Sequence, residues 1–336
     1  MGDLPMGDLP VVLVWPILTS ALLGLAAPRL VRALPPARAV RLLVAGAVTC
    51  AASTMLVLAL TGWLLLAEIP VVAALGHWSA PQVDLRQPVP DVVEALAGVA
   101  WLVVIGRVSA AMVRFARSTL ACRRTCAEFG GSRGDLVIIE SARPEAYAVA
   151  DGLTGGGRIV VSTGLLAALS PAERRVVFAH EAAHLHGRHH VWRALADVAV
   201  AANPLLTSVG EAVHYGTERW ADEDTAREVG DRRLAARALA RAALAASRST
   251  PGPVMGLTGY GVSERIESLL GPPPPRRRLV TVLIGVLVAV TLAAATDADL
   301  DTDHFLDQAG RRAPSAPAPR TWPPAYTPKE PGQPTN

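Results

Sequence analysis

The sequence predicts an α-helical membrane bundle joined to an α+β domain with a small β-sheet. Three observations carry that expectation. The chain is 51% apolar and only 18% charged, with a mean hydropathy of +0.33, which is too apolar for an ordinary soluble domain. Four stretches approach the roughly 20 apolar residues that cross a bilayer. Between the third and fourth, β-branched runs bounded by turn residues give way to helical patterns.

The four stretches are Val11–Ala27, Leu42–Ala67, Val92–Val113 and Leu279–Thr296. Glu94 and Arg107 interrupt the third; Arg107 either snorkels to the headgroups or joins an ion pair within the bundle. Asp3 and Asp8 stand where a cleavable signal would be basic. The opening MGDLPMGDLP is a five-residue duplication, compatible with a start at Met6. Arginines set the orientation, because cytoplasmic flanks are enriched in them. Arg29, Arg32, Arg38 and Arg41 separate the first two stretches, Arg114, Arg117, Arg123 and Arg124 follow the third, and Arg276–Arg278 precede the fourth. On the opposite side the loop from Glu68 to Asp91 has Arg86 as its one Arg or Lys, and the tail past the fourth stretch carries Asp297, Asp299, Asp301 and Asp303. All basic flanks share one side if all four stretches cross. The expected arrangement is a multi-pass protein of the plasma membrane, its N-terminus outside. A membrane region with three helices spans 1–113, a cytoplasmic domain 114–278, a fourth helix 279–296 and an extracytoplasmic tail 297–336. Proline density in that tail from Arg311 onward predicts disorder. A net charge of +3 argues for no nucleic acid, and the expected non-protein partner is the lipid bilayer. Oligomeric state is not legible.

Within 114–278, Asp135–Ser141 reads as a strand, and EAYAVADGLTGGGRIVVSTG as two strands joined by the turn at Gly155–Gly157. That turn lacks the Lys-Ser/Thr of a phosphate loop, so a flexible hairpin is expected. A helix starts where Ser170 can cap, Pro171 occupies the first turn and Glu173 completes a capping box. It runs to Gly187, with Val176, Val177, Ala179 and Ala183 available for packing. Cys50, Cys122 and Cys126 are too few for a disulfide framework and read as reduced thiols.

HEAAHLHGRHH, residues 180–190, holds five of the eight histidines. His180 and His184 are four apart and project from one helix face, with Glu181 about 100° round the helix from the first. Two imidazoles and an adjacent carboxylate suit Zn²⁺ and the deprotonation of a water. A solvated basic helix end fits the same residues. The next acidic helix, Gly210–Gly230, favours the metal: Glu218 supplies a third ligand, leaving an open fourth position. Asp222, one turn on, is placed to orient a ligand. His214, one turn earlier, reaches toward substrate or is structural. Glu223 and Asp224 read as a solvated face. His186, His189 and His190 read as a structural or electrostatic group near the helix end. His77 and His304 have no constellation around them.

HEAAH followed by ERWAD, after RIVVSTGLLAALSPAERRVVFAHE, resembles the integral-membrane zinc metallopeptidases of the HtpX and CAAX prenyl protease type, and the related BlaR/MecR-type receptor proteases. The resemblance covers about residues 135–270. It implies an α+β zincin-like protease domain on the cytoplasmic side, with His180, His184 and Glu218 as zinc ligands, Glu181 as catalytic base and Asp222 in support. The implied activity is a zinc endopeptidase cleaving protein or peptide substrates. Its alternative is a signal-transducing component of the receptor type with regulated or degenerate activity. PEAYA has Glu145 and Ala146 where the family often has Asn, and GYGVSERI lacks a downstream His; Arg265 stands in there either as an oxyanion group or as a structural salt bridge. A substrate chain is expected to pair with an edge strand, at Tyr147–Ala150 or at Arg158–Val161. If the ligands converge, Val191–Ser208 cannot cross the membrane once, because Glu218 would then lie opposite the histidines. Arg193, Asp197 and Asn203–Pro204 favour an amphipathic or re-entrant segment.

Overall fold

The computed structural model describes residues 9–67, 69–76, 90–128, 136–154, 156–249 and 261–272. The fourth apolar stretch, the C-terminal tail, His77 and His304 lie outside these. Three helices lead: α1 (Leu9–Ala33), α2 (Pro36–Ala67) and, after the short α3 (Pro70–Gly76), α4 (Asp91–Glu128). Portions of α1, α2 and α4 are long and apolar enough to cross a membrane. With 38 residues, α4 is about 57 Å long. It therefore continues well past the apolar stretch expected at Val92–Val113. The Arg107 Nε donates to the Ala201 carbonyl at 3.0 Å, and among the described residues no salt bridge to Arg107 is found.

Next comes a three-stranded mixed sheet: β1 (Leu136–Ile139), β2 (Ala146–Ala150) and β3 (Gly157–Ser162), in the order β1-β3-β2. β1 runs parallel to β3, and β2 antiparallel to it. The central strand β3 is buried throughout, so Arg158–Val161 offers no edge and that expected docking position is excluded. β2 is an edge. The Glu145 carbonyl accepts from Ser162 N, and Asp151 N donates to Gly156 O, so the odd-numbered residues face β3. Ala146, Ala148 and Ala150 therefore turn their N–H and C=O groups to the free side.

Helices complete the chain: α5 (Thr163–Ala168), α6 (Pro171–His186), α7 (His189–Ala202), a 3₁₀ turn (Pro204–Leu206), α8 (Thr207–Val229), α9 (Arg232–Ser249) and α10 (Val262–Leu270). The predicted capping box opens α6: Glu173 N donates to Ser170 Oγ at 3.4 Å, and Ser170 N to Glu173 Oε2 at 2.9 Å. The hairpin α7–α8 packs into the helical bundle. At its tip the Asn203 amide donates to Ser20 Oγ at 2.8 Å and Thr54 Oγ1 at 3.0 Å, near the middle of α1 and α2. Its other end lies level with the α1–α2 turn, where Arg219 donates to the Val31 carbonyl at 3.3 Å. Gly216 sits where a Cβ would crowd Val31 and Val40. A single apolar core joins Leu23 and Val31 of α1, Leu43 and Val44 of α2, Ala199 of α7, and Val209 and Val213 of α8. Smaller clusters seat the sheet on α6 and α9 on α10. The Cys126 thiol contacts the Val149 carbonyl at 3.4 Å, anchoring α4 to β2, and the three cysteines are free thiols as expected.

Candidate metal centre

Two helices meet at the centre. On α6 the capped first turn fixes the helix start, and four-residue spacing puts His180 and His184 on one face. Their Nε2 atoms are 3.2 Å apart. Glu218 arrives from α8, its Oε2 3.6 Å from His180 Nε2 and its Oε1 3.6 Å from His184 Nε2. One ligand atom from each residue lies within 4.8 Å of the others. Two imidazole nitrogens and a carboxylate fit a catalytic zinc site with an open position.

Partners fix each donor from behind. His180 Nδ1 lies 3.2 Å from Asp222 Oδ1, leaving Nε2 for the metal. Arg265 from α10 grips Asp222 with two bonds of 2.7 and 2.8 Å, and reaches Glu218 Oε2 at 2.9 Å. Arg265 is 3% exposed and engaged by both carboxylates, which makes it the salt bridge of the two expected roles. Arg193 of α7 holds the other Glu218 oxygen and donates to Thr217 Oγ1 at 2.7 Å. His214 turns away: its Nε2 pairs with Asp197 at 3.0 Å. Glu223 and Asp224 are not a solvated face. Glu223 takes two bonds from Arg232, because α8 stops at the left-handed Gly230 and the chain folds back, and Asp224 accepts from Trp220 and Arg227 of its own helix.

His189 departs furthest from expectation. The α6–α7 turn passes through Arg188 with a positive φ of 50°, which redirects the chain and aims the His189 ring back at the centre. Its Nδ1 sits 2.8 Å from His184 Nδ1, and its ring packs 4.8 Å from that of Trp220. A Cβ on Gly187 would strike the ring. His190 binds the Gly152 carbonyl at 3.0 Å. Of this histidine group only His186 is exposed, as a solvated helix end requires.

Burial opposes charge throughout the site. On His180 the hydrogen bonds and charges of Asp222 and Glu218 outweigh it, carrying the imidazole up to about 10. On His184 burial, reinforced by the neighbouring His180, holds the ring well below the ordinary histidine value. Burial and the nearby Arg193 push His189 down to about 3. On Glu218 burial is outweighed by the His180 hydrogen bond and by the Arg265 charge, so the carboxyl stays well below its usual range. On Asp222 it is outweighed by Arg265. Glu181 goes the other way: burial raises it and the Glu218 charge adds, against His180 and a hydrogen bond from the Ala148 backbone. A carboxyl lifted in this way holds a proton more readily than an exposed glutamate, as a general base must.

Glu181 and the three converging residues line a cavity of about 400 Å³, with Ala146, Tyr147 and Ala148 of β2 along one wall. The free edge of the sheet thus opens onto the metal centre.

Residues 121–250 match peptidase family M48, a stretch that runs from the end of α4 through α9. It includes His180, Glu181, His184, Glu218 and Asp222, and stops short of Arg265. No curated protein and no solved structure matches the chain. Over residues 121–250 the chain is similar to peptidase family M48, a match that supports a metallopeptidase.

Proposed function

We propose that the chain is a zinc-dependent endopeptidase that cleaves protein substrates at the cytoplasmic face of the plasma membrane. In this reading residues 114–278 form the peptidase domain, and His180, His184 and Glu218 hold the zinc. The observation that carries it is the convergence of those three donors beside Glu181 and the open edge of β2. Zinc, when bound, supplies a Lewis acid for the scissile carbonyl and makes a water more acidic. The chain's own residues do the rest. The peptide pairs with the outward N–H and C=O groups of Ala146 and Ala150 and with the Ala148 carbonyl, which orients its scissile bond; the Ala148 N–H is given to Glu181. Glu181 takes the proton from the attacking water and later delivers it to the leaving amine. Asp222 and Arg265 hold His180 and Glu218 in place. Arg265 itself does not serve as an oxyanion donor, since its charge is spent on two carboxylates.

The test compares wild type with Glu181→Gln on casein in detergent micelles, with metal content measured alongside. Glu181→Gln is expected to keep zinc and lose about 10²- to 10⁴-fold in rate, the worth of a general base; His184→Ala loses zinc and hydrolysis together. Undiminished hydrolysis by purified, zinc-loaded Glu181→Gln would overturn the mechanism.

A further inference from the structure

The space at the metal centre does not end at β2. Ala148, Ala150, His190 and Arg193 line the cavity there, and the same four residues line a second, larger crevice of about 820 Å³. This crevice lies between α4 and α7. A peptide paired along β2 at about 3.3 Å per residue enters it on passing Ala150.

The lining is cationic. Arg107 and Arg114 of α4 join Arg193, against one carboxylate, Asp197. Asp197 is engaged by His214. Arg193 is committed to Glu218 and Thr217. Arg107 uses its Nε on the Ala201 carbonyl, and Arg114 is exposed. A guanidinium such as that of Arg107, set within an apolar stretch, is costly unless it faces water or an anion. Aliphatic chains alone are therefore a poor filling for the crevice, whereas a hydrated chain carrying carboxylates complements it.

We propose that this crevice is a substrate subsite selecting an anionic peptide segment, with Asp or Glu side chains on the part of the substrate that leaves β2 past Ala150. Arg114 is its specificity-determining residue and Arg107 its floor. The proposal rests on the peptidase reading above.

The test measures binding rather than turnover, so that the two ideas fail separately. The probes are fluorescein-labelled decapeptides with one shared Ala/Val/Ser core, ending in three Asp or three Lys at either terminus. Fluorescence anisotropy is read against full-length Glu181→Gln protein in detergent micelles. At low salt an Asp-ended peptide is expected to bind about tenfold more tightly than its Lys counterpart, and the gap narrows as salt is added. Arg114→Glu should erase or invert that ratio. Arg124→Glu makes the same charge change on an exposed residue of α4 outside the crevice lining, and should leave the ratio intact. Equal affinities in the Glu181→Gln protein, a ratio that survives adding Arg114→Glu to it, or equal losses in the two added variants would each overturn the subsite. Casein hydrolysis by the wild type is scored separately. If it is absent while the anisotropy pattern holds, the peptidase reading falls and the anionic-peptide site stands.

Discussion

Replacing His189 by Phe isolates one hydrogen bond at the metal centre. His184 can offer its Nε2 lone pair to an ion only when its proton sits on Nδ1. The acceptor for that proton is His189 Nδ1, 2.8 Å away. His189 is 1% exposed, so bulk water does not replace it. A phenyl ring occupies nearly the same space against Trp220, which makes the loss one of an acceptor rather than of packing. Leaving a buried N–H unpaired costs about 1–3 kcal/mol, or about 5- to 150-fold in zinc affinity. Outer partners of metal-binding histidines are typically worth about 10- to 100-fold, inside that range. The assay is competition for zinc with a chromophoric chelator, accompanied by the visible spectrum of the cobalt-loaded protein and the unfolding temperature of the metal-free form. His189→Phe should weaken zinc by the stated factor with little change in unfolding temperature, and His189→Asn, which returns an acceptor, should recover part of it. If both variants bind zinc within about twofold of wild type, His184 owes its orientation to something else and the reasoning fails.

The charge state of His180 predicts a pH dependence. Its folded value of about 10 lies above the ordinary 6.5, so the ion pair with Asp222 and Glu218 stabilises the metal-free fold fully below about 6.5, and that stabilisation is lost as pH rises through about 10. Zinc must displace this proton, so its apparent affinity should climb about tenfold per pH unit between 7 and 9; a flat profile in chelator competition would count against the pair. Arg265→Met strands two buried carboxylates and should cost about 3–5 kcal/mol, read as a lowered unfolding temperature of the metal-free protein; an unchanged one would show that water reaches Asp222. Asn203→Leu removes the bonds to Ser20 and Thr54 at the hairpin tip, and should cost about 0.6–2 kcal/mol in detergent unfolding while leaving zinc affinity unchanged.

What the sequence made legible was local. The capping box of Ser170 and Glu173, the four-residue spacings of His180–His184 and Glu218–Asp222, and the Gly-rich hairpin between β2 and β3 all depend on short-range geometry, and each appears where the pattern puts it. What stayed hidden depends on chain reversals. His189 reads as a cation at a helix end if α6 simply stops; in the structure the positive φ of Arg188 swings it beneath His184. A Gly-Arg pair just after a metal motif was the available signal, and it is weak, because non-glycine residues seldom take that conformation. Arg193 could be read only as an objection to a membrane span, since its contact with Glu218 crosses from α7 to α8. The free edge of the sheet was likewise ambiguous between two segments. The parallel pairing of β1 with β3, a long-range choice, decides it for β2.

The link between bundle and metal centre is rigid because one helix belongs to both. Val209 and Val213 of α8 lie in the core shared with α1 and α2; Glu218 follows Val213 by five residues, about 7.5 Å along the axis. A second route runs through side chains. Arg41 of α2 stacks over Trp220 at 5.0 Å, Trp220 packs on His189, and His189 meets His184. A cut at residue 113 would divide the chain by sequence but would run through a single packed core, taking α1 and α2 away from α7 and α8. The helical bundle is thus more than an anchor. It holds the face of α8 that carries the Glu218 carboxylate, and the indole that backs the histidine behind His184, at the level of the α1–α2 turn.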